Sequence, residues 1–167
     1  MAQDIGTGIS PKPIGLSRCA YGAFGDSRES KVMSAGRIKV LTSKLGFDIH
    51  NRGITLVNMA LRDAGMEVIF IGNQFPKQVV EASIQEDVDV IGVSILSSTY
   101  MEYITELTRL IKEKKVHDKM LVVGGIVLPD DVSHIKEMGV AEYFPPGTPL
   151  TVISEYIAKN APCRSAS

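Results

Sequence analysis

From Arg37 onward, short runs of Val, Ile and Leu alternate with stretches in which apolar residues recur every three or four positions. Runs of that length suit strands covered on both faces, and the three-to-four spacing lays one stripe of a helix against a core. The run Arg37-Ile-Lys-Val-Leu-Thr42 predicts a first strand, and Ile54, Val57, Leu61 and Ala64 predict the helix after it, stopped by Gly65. Glu67–Ile71 predicts a second strand, after which Pro76 opens a helix that buries Val79, Val80 and Ile84. Asp89–Ser94 is a third strand. Tyr100, Ile104, Leu107 and Ile111 mark the next helix, whose lysines Lys112, Lys114 and Lys115 lie at the negative end of its dipole. Met120–Val123 precedes a short helix from about Asp130 to Met138, and Ala141–Phe144 precedes a last helix carrying Leu150, Ile153 and Ile157.

Five strand-then-helix units predict an α/β fold, a doubly wound parallel five-stranded sheet. The common order for five strands is the flavodoxin-like (Rossmann-like) 2-1-3-4-5, with ligands beyond the carboxyl ends near the switch between the first and third strands. Residues 1–36 hold six Gly, five Ser and two Pro without a sustained apolar period, so the domain is placed at 37–160, after a flexible N-terminal extension and before a tail at 161–167. The extension is either a disordered tail or an arm that orders against another subunit. With 167 residues the chain has room for one core. Its 18 Lys and Arg against 19 Asp and Glu give no electrostatic reason for binding nucleic acid or an anionic membrane. Neither a membrane span nor a secretory leader is visible, which predicts a cytoplasmic protein whose Cys19 and Cys163 stay as thiols.

The chemistry gathers at the predicted carboxyl edge. After the first strand about ten residues, Ser43 to Arg52, precede the helix where two to six are usual. They set Lys44, Asp48 and His50 at i, i+4 and i+6. A neutral imidazole gives one ring nitrogen to a metal while its other N–H donates to a carboxylate, which fixes the tautomer. Asp48 fits that role for His50, and Lys44 is placed to hold the carboxylate ionised. The bland alternative is that Asp48 and His50 cap the helix. The other strand ends are specialised too: Ser94-Ile-Leu96-Ser97-Ser98-Thr99 after the third, Gly124-Gly125 after the fourth, Pro145-Pro-Gly147-Thr148 after the fifth. Hydroxyls serve a ligand or cap a helix, and a glycine pair admits a bulky group or makes a tight turn. Together they describe a narrow slot with a metal ligand at its mouth.

These residues resemble the cobalamin-binding domain of adenosylcobalamin-dependent mutases and related corrinoid proteins, over about Arg37 to Lys159. The family's Asp-x-His-x-x-Gly motif stands here as Asp48-Ile-His50-Asn-Arg-Gly53, its Ser-x-Leu as Ser94-Ile-Leu96, and its Gly-Gly as Gly124-Gly125. The wording between motifs, such as Ala60-Leu-Arg-Asp-Ala-Gly-Met-Glu-Val68, is similar to the small subunits of acyl-CoA mutases, the methylmalonyl-CoA and 2-hydroxyisobutyryl-CoA mutases among them. The resemblance implies that His50 replaces the cofactor's own dimethylbenzimidazole as lower cobalt ligand, with Asp48 and Lys44 as a hydrogen-bonded series behind it. It implies cofactor contacts from Asn51, Arg52, Gly53, Ser94, Leu96, Ser98, Gly124, Gly125, Gly147 and Thr148 beside the displaced nucleotide tail. Two residues depart from many acyl-CoA mutases: Ile49 and Asn51 stand where Gly and Asp are common, and a β-branched residue at 49 disfavours positive φ.

By the same resemblance the chain is the cofactor subunit of an adenosylcobalamin-dependent acyl-CoA mutase. The acyl-CoA sits mainly on a large partner subunit with a (β/α)8 barrel, which the N-terminal extension helps dock. The alternative is a corrinoid carrier of a methyltransferase system, which normally has a helical cap domain before the motif; the 36 residues before the fold are too few and too polar for one. A phosphate-accepting receiver domain needs an aspartate ending the third strand and a lysine after the fifth, and Ser94 and Pro145-Pro146 stand there. Met59, Met66, Met101, Met120 and Met138 read as core fillers. His117 and His134 read as solvated helix-end residues.

Overall fold

The computed structural model describes residues 37–162. The expectations for 1–36, for Cys19 and for Cys163 lie outside the described residues. Within them, each Val- and Ile-rich run is a strand and each amphipathic stretch a helix: β1 (Lys39–Leu45), α1 (Arg52–Asp63), β2 (Glu67–Gln74), α2 (Pro76–Gln85), β3 (Val90–Ile95), α3 (Tyr100–Glu113), β4 (Met120–Gly125), α4 (Pro129–Met138), β5 (Glu142–Phe144) and α5 (Leu150–Asn160). The strands are all parallel, in the order β2-β1-β3-β4-β5, as the alternation predicts. No helix among the described residues is long and apolar enough to cross a membrane.

Alternation along each strand sends neighbouring side chains to opposite faces of the sheet. One face presents Leu41, Leu45, Ile91, Val93, Ile95, Leu121 and Val123 to α2, α3 and α4, where they pack with Val79, Ile104, Leu107 and Ile135 into the larger core cluster. The other presents Val40, Val90, Val122 and Phe144 to α1 and α5, with Leu61, Ile153 and Ile157 in the smaller one.

Several boundaries differ from expectation. β1 starts at Lys39 and runs on to Leu45, so the loop before α1 is residues 46–51, an ordinary length. Ser43 and Lys44 read as loop because they are polar, yet both pair within the sheet, Lys44 against Ser94. β2 extends to Gln74, and Gly124 and Gly125 are the last residues of β4 rather than a turn after it. Ile84 is 43% exposed, not buried. The inward stripe of α2 is Pro76, Val79, Val80 and Ser83, and Ser83 is satisfied there by donating to the Val80 carbonyl at 2.7 Å. Met66 is buried, Met101, Met120 and Met138 are half-buried, and Met59 is exposed, so it fills no core gap. His117 and His134 are exposed, but His134 lies within α4, not at its end.

The contrast between two isoleucines tests this packing. Ile104→Ala, at a fully buried position, is expected to cost about 2–5 kcal/mol. Ile84→Ala is expected to cost about 1 kcal/mol or less. Chemical denaturation with an unchanged m-value measures both.

Candidate functional site

The face of the sheet under α1 and α5 is not filled. Register places Thr42, Gly92 and Val122 side by side in one row, and Lys44, Ser94 and Gly124 in the next toward the carboxyl edge. Two glycines, a serine and a threonine at the sheet's centre carry too little side chain to reach the helices. A cavity of about 600 Å³ remains, floored by these strands, walled by α1 and α5, and open beside His50 and the Pro145–Thr148 loop.

The glycines of this cavity divide by physical role. At Gly125, φ is +126° and a Cβ would come within 1.9 Å of the Ile95 carbonyl oxygen, so the fold itself demands glycine. At Gly124 a Cβ would come no nearer than 3.8 Å to any neighbour, at Gly92 it would meet Thr42 and Val122 at ordinary contact distances, and at Gly53 nothing lies within 4 Å. The packing of the chain tolerates a methyl at those three, and what their bareness preserves is the open space.

At the mouth, the Asp48 side chain is fully buried while that of His50 is 62% exposed. Asp48 Oδ1 accepts from the His50 backbone N–H at 2.8 Å and sits 2.9 Å from His50 Nδ1. A carboxylate oxygen only accepts, so Nδ1 carries a proton, and in the neutral ring the lone pair is then on Nε2. Among the described residues Asp48 Oδ2 is buried with no partner, and the carboxylate's two bonds both go to His50. The loop is braced from two strands. Lys44 Nζ, buried at the end of β1, donates to the Asp48 carbonyl at 2.7 Å and to Asn51 Oδ1. Asn73 Nδ2 of β2 donates to the carbonyls of Gly46 at 2.9 Å and Asp48 at 2.6 Å. Lys44 therefore does not bond the Asp48 carboxylate, contrary to expectation. Rooted in the strand, its side chain runs under the loop and meets main-chain and amide oxygens. Asn51 is the N-cap residue of α1 without a side-chain cap bond, its oxygen being taken by Lys44.

Two tyrosines fix the loop after β4. Tyr143 Oη donates to the Gly125 carbonyl at 2.7 Å and accepts from the Val127 N–H at 3.1 Å. Tyr100 Oη accepts from the Leu128 N–H at 3.4 Å and donates to the Asp131 carboxylate. That last bond, with burial, holds the Tyr100 hydroxyl above its ordinary pKa.

Of the residues singled out from sequence, His50, Asn51, Arg52, Gly53, Ser94, Leu96, Gly124, Gly125, Gly147 and Thr148 line the cavity. Asp48 and Lys44 stand behind its mouth. Ser98 is exposed and is not part of the wall. Gly92, Thr42, the wall residues of α1 beyond Gly53 and those of α5 were not assigned to the site from sequence; a glycine inside a strand, which often marks a close approach, was the available signal for Gly92. Asn73 carried none. Among the described residues no group of three or more His, Cys, Asp or Glu side chains gathers to hold a bare metal ion.

The site is a slot shaped for an elongated group, with the exposed His50 ring at its mouth. Residues 38–150 match the family described as "B12 binding domain", and the chain belongs to that family. It is similar to the 2-hydroxyisobutanoyl-CoA mutase small subunit of Aquincola tertiaricarbonis, 39% identical over 130 residues, 77% of this chain and 96% of the relative. It is 36% identical to the pivalyl-CoA mutase small subunit of Xanthobacter autotrophicus, over 72% of this chain and 81% of the relative. It is 34% identical to the methylmalonyl-CoA mutase large subunit of Streptomyces virginiae, of which it spans 15%. A cobalamin-binding protein from Desulfitobacterium hafniense shares the fold, with a TM-score of 0.63 at 17% identity over 73% of this chain and 58% of that one.

The two adjacent glycines separate fold from cavity. Gly125→Ala is expected to cost about 3 kcal/mol or more, and Gly124→Ala less than about 1 kcal/mol. Denaturant midpoints of the purified variants check the difference.

Proposed function

We propose that this chain is the cobalamin-binding small subunit of an adenosylcobalamin-dependent acyl-CoA mutase, and that His50 is the lower cobalt ligand of a cofactor held base-off. The observation that carries the reading is the exposed His50 ring, oriented by a buried carboxylate, at the mouth of a 600 Å³ slot. The donor set fits the group. Cobalamin would need one imidazole nitrogen from the protein, which His50 would supply through Nε2, the ring nitrogen that Asp48 does not engage. The slot would hold the nucleotide tail, between Ser94, Gly124 and Gly92 on the floor and α1 and α5 above.

When bound, adenosylcobalamin supplies the radical chemistry of a carbon-skeleton rearrangement. The chain's own residues do the rest. Asp48 keeps the Nδ1 proton in place, so the imidazole stays in one tautomer and one orientation. Lys44 and Asn73 hold the carbonyl of Asp48, and through it the loop. Gly53, at the start of α1, leaves the backbone bare beside the tail. In this reading acyl-CoA is held mainly by a large partner subunit with a (β/α)8 barrel; the existence of a partner is supported by the name "small subunit" in two relatives of which the chain spans 96% and 81%. In this reading the assembly works in the cytoplasm, on 2-hydroxyisobutyryl-CoA, methylmalonyl-CoA or a similar substrate.

The test is electron paramagnetic resonance of the chain loaded with cobalamin and reduced to cobalt(II). Coupling to a histidine nitrogen is expected and is expected to vanish in His50→Ala. Persistence of the cofactor's own base as ligand overturns the assignment. With the copurified partner, acyl-CoA isomerisation is expected with adenosylcobalamin; activity only with methylcobalamin and a methyl donor identifies a corrinoid carrier instead.

A further inference from the structure

The sheet has two outer strands, and they differ. β5 is three residues long, Glu142–Phe144, and its first residue is paired with Lys136 of α4. β2 runs for eight residues and, among the described residues, pairs with β1 alone. Where β1 and β3 are buried almost end to end, every residue of β2 is half-buried or exposed, and Phe70 is 41% exposed. The Glu67 N–H donates to the Ile38 carbonyl at 2.9 Å, so alternation along the strand turns the main-chain groups of Val68 and Phe70 away from β1. Arg62 Nη2, 3.4 Å from the Val68 carbonyl oxygen, approaches from that outer side. The register between β1 and β2 is regular through Phe70 and shifts only afterwards. From Val68 to Gln74 the strand carries no charge and no proline, the devices that keep sheet edges from pairing.

We propose that β2 pairs with β2 of a second copy of this chain, antiparallel about a two-fold axis through Ile69, joining two sheets into one of ten strands. The strand is its own complement in that register. Val68 and Phe70 of one copy lie opposite Phe70 and Val68 of the other, and each pair exchanges two N–H···O bonds. The side chains match as well. Val68, on the face of α1 and α5, meets Phe70 of the second copy, and an aromatic ring against a β-branched residue is a favourable cross-strand pair. Ile69, on the face of α2 and α3, meets its own counterpart. Glu67, the strand's single charge, lies opposite Ile71, so no like charges meet. The helices have room: α1 and α2 both touch β1, and the two β1 strands stand three strand spacings apart, about 14 Å, more than the roughly 8–10 Å that packed helices need. β5 of another copy does not fit β2 in this way, being shorter and charged at its start. The two carboxyl edges point in opposite directions, so both slots and both His50 rings stay open. The pairing is independent of what the slot holds.

An edge and its nearest side chains make a smaller contact than a standard interface, so the dimer is expected to be weak, with a Kd on the order of 10–500 µM. Sedimentation of the purified full chain from ~10 µM to ~1 mM measures it, and hydrogen exchange followed by nuclear magnetic resonance reads the individual amides. The Val68 and Phe70 amides are expected to gain protection as concentration rises, while the Ile69 amide, bonded within the sheet, stays protected throughout. Phe70→Lys, which brings two ammonium groups to the pairing edge, is expected to raise Kd at least roughly tenfold; if it does not fold, amide protection in the unmodified chain decides. A monomer over the whole range, a dimer unaffected by Phe70→Lys, or a dimer whose Val68 and Phe70 amides stay unprotected overturns the proposal. Protection of those two amides in the monomer, unchanged with concentration, means that the chain covers its own edge and overturns it as well.

Discussion

A carboxylate withdrawn from solvent and an imidazole left mostly in it, joined through one oxygen, govern the geometry of the site. The Asp48 side chain has no exposure and His50 has much, so the hydrogen bond between them runs from the protein interior to its surface. Taking a carboxylate out of water is unfavourable unless its oxygens are satisfied. Here Oδ1 has two N–H partners in His50 and, among the described residues, Oδ2 has none. An arrangement so ill suited to stability makes sense as a fixture for the ring: the tautomer and direction of His50 are decided before anything arrives. Lys44 and Asn73 secure the carbonyl of the same aspartate, so the fixture is anchored to β1 and β2.

The second constraint is what the sheet omits. On the α2–α4 face the strands carry Leu, Ile and Val and the helices close over them. On the α1–α5 face the two central rows carry Thr, Gly, Val, Ser and Gly, apart from Lys44 at the edge, and the helices stand off. One sheet thereby serves as a solid core on one side and a receptacle on the other. The β1, β3 and β4 ladders make this possible, since backbone hydrogen bonds hold these strands in register across positions where side-chain packing is missing.

Most of the architecture was legible in the sequence because parallel strands buried on both faces read as unbroken apolar runs. Strand order followed from the common open arrangement of five such units. The ends of elements were not legible in the same way: Ser43 and Lys44 look like loop residues, and only the sheet shows that Lys44 is a strand residue whose amine reaches forward under the next loop. Ile84 was assigned to the core on spacing, while Ser83, satisfied by its own helix, took that place. At the site, Asp48, His50, Ser94 and the Gly124–Gly125 pair stood out through residue type and position at strand ends. Gly92 and Asn73 did not. Gly92 acts by lacking a side chain opposite residues from two other strands, and Asn73 by meeting a loop 25 residues earlier in the chain. Both are long-range relations that no local pattern encodes.

The hollow face has a thermodynamic corollary. A seam between α5, α1 and the sheet that lacks filling atoms forgoes the dispersion contacts enjoyed on the opposite side, so opening there takes less work than opening between α2, α3 and the sheet. Whatever fills the void contributes the missing contacts to the folded state alone, and mass action converts that into resistance to unfolding that grows with occupant concentration. The domain is thus built so that its last increment of rigidity comes from its guest.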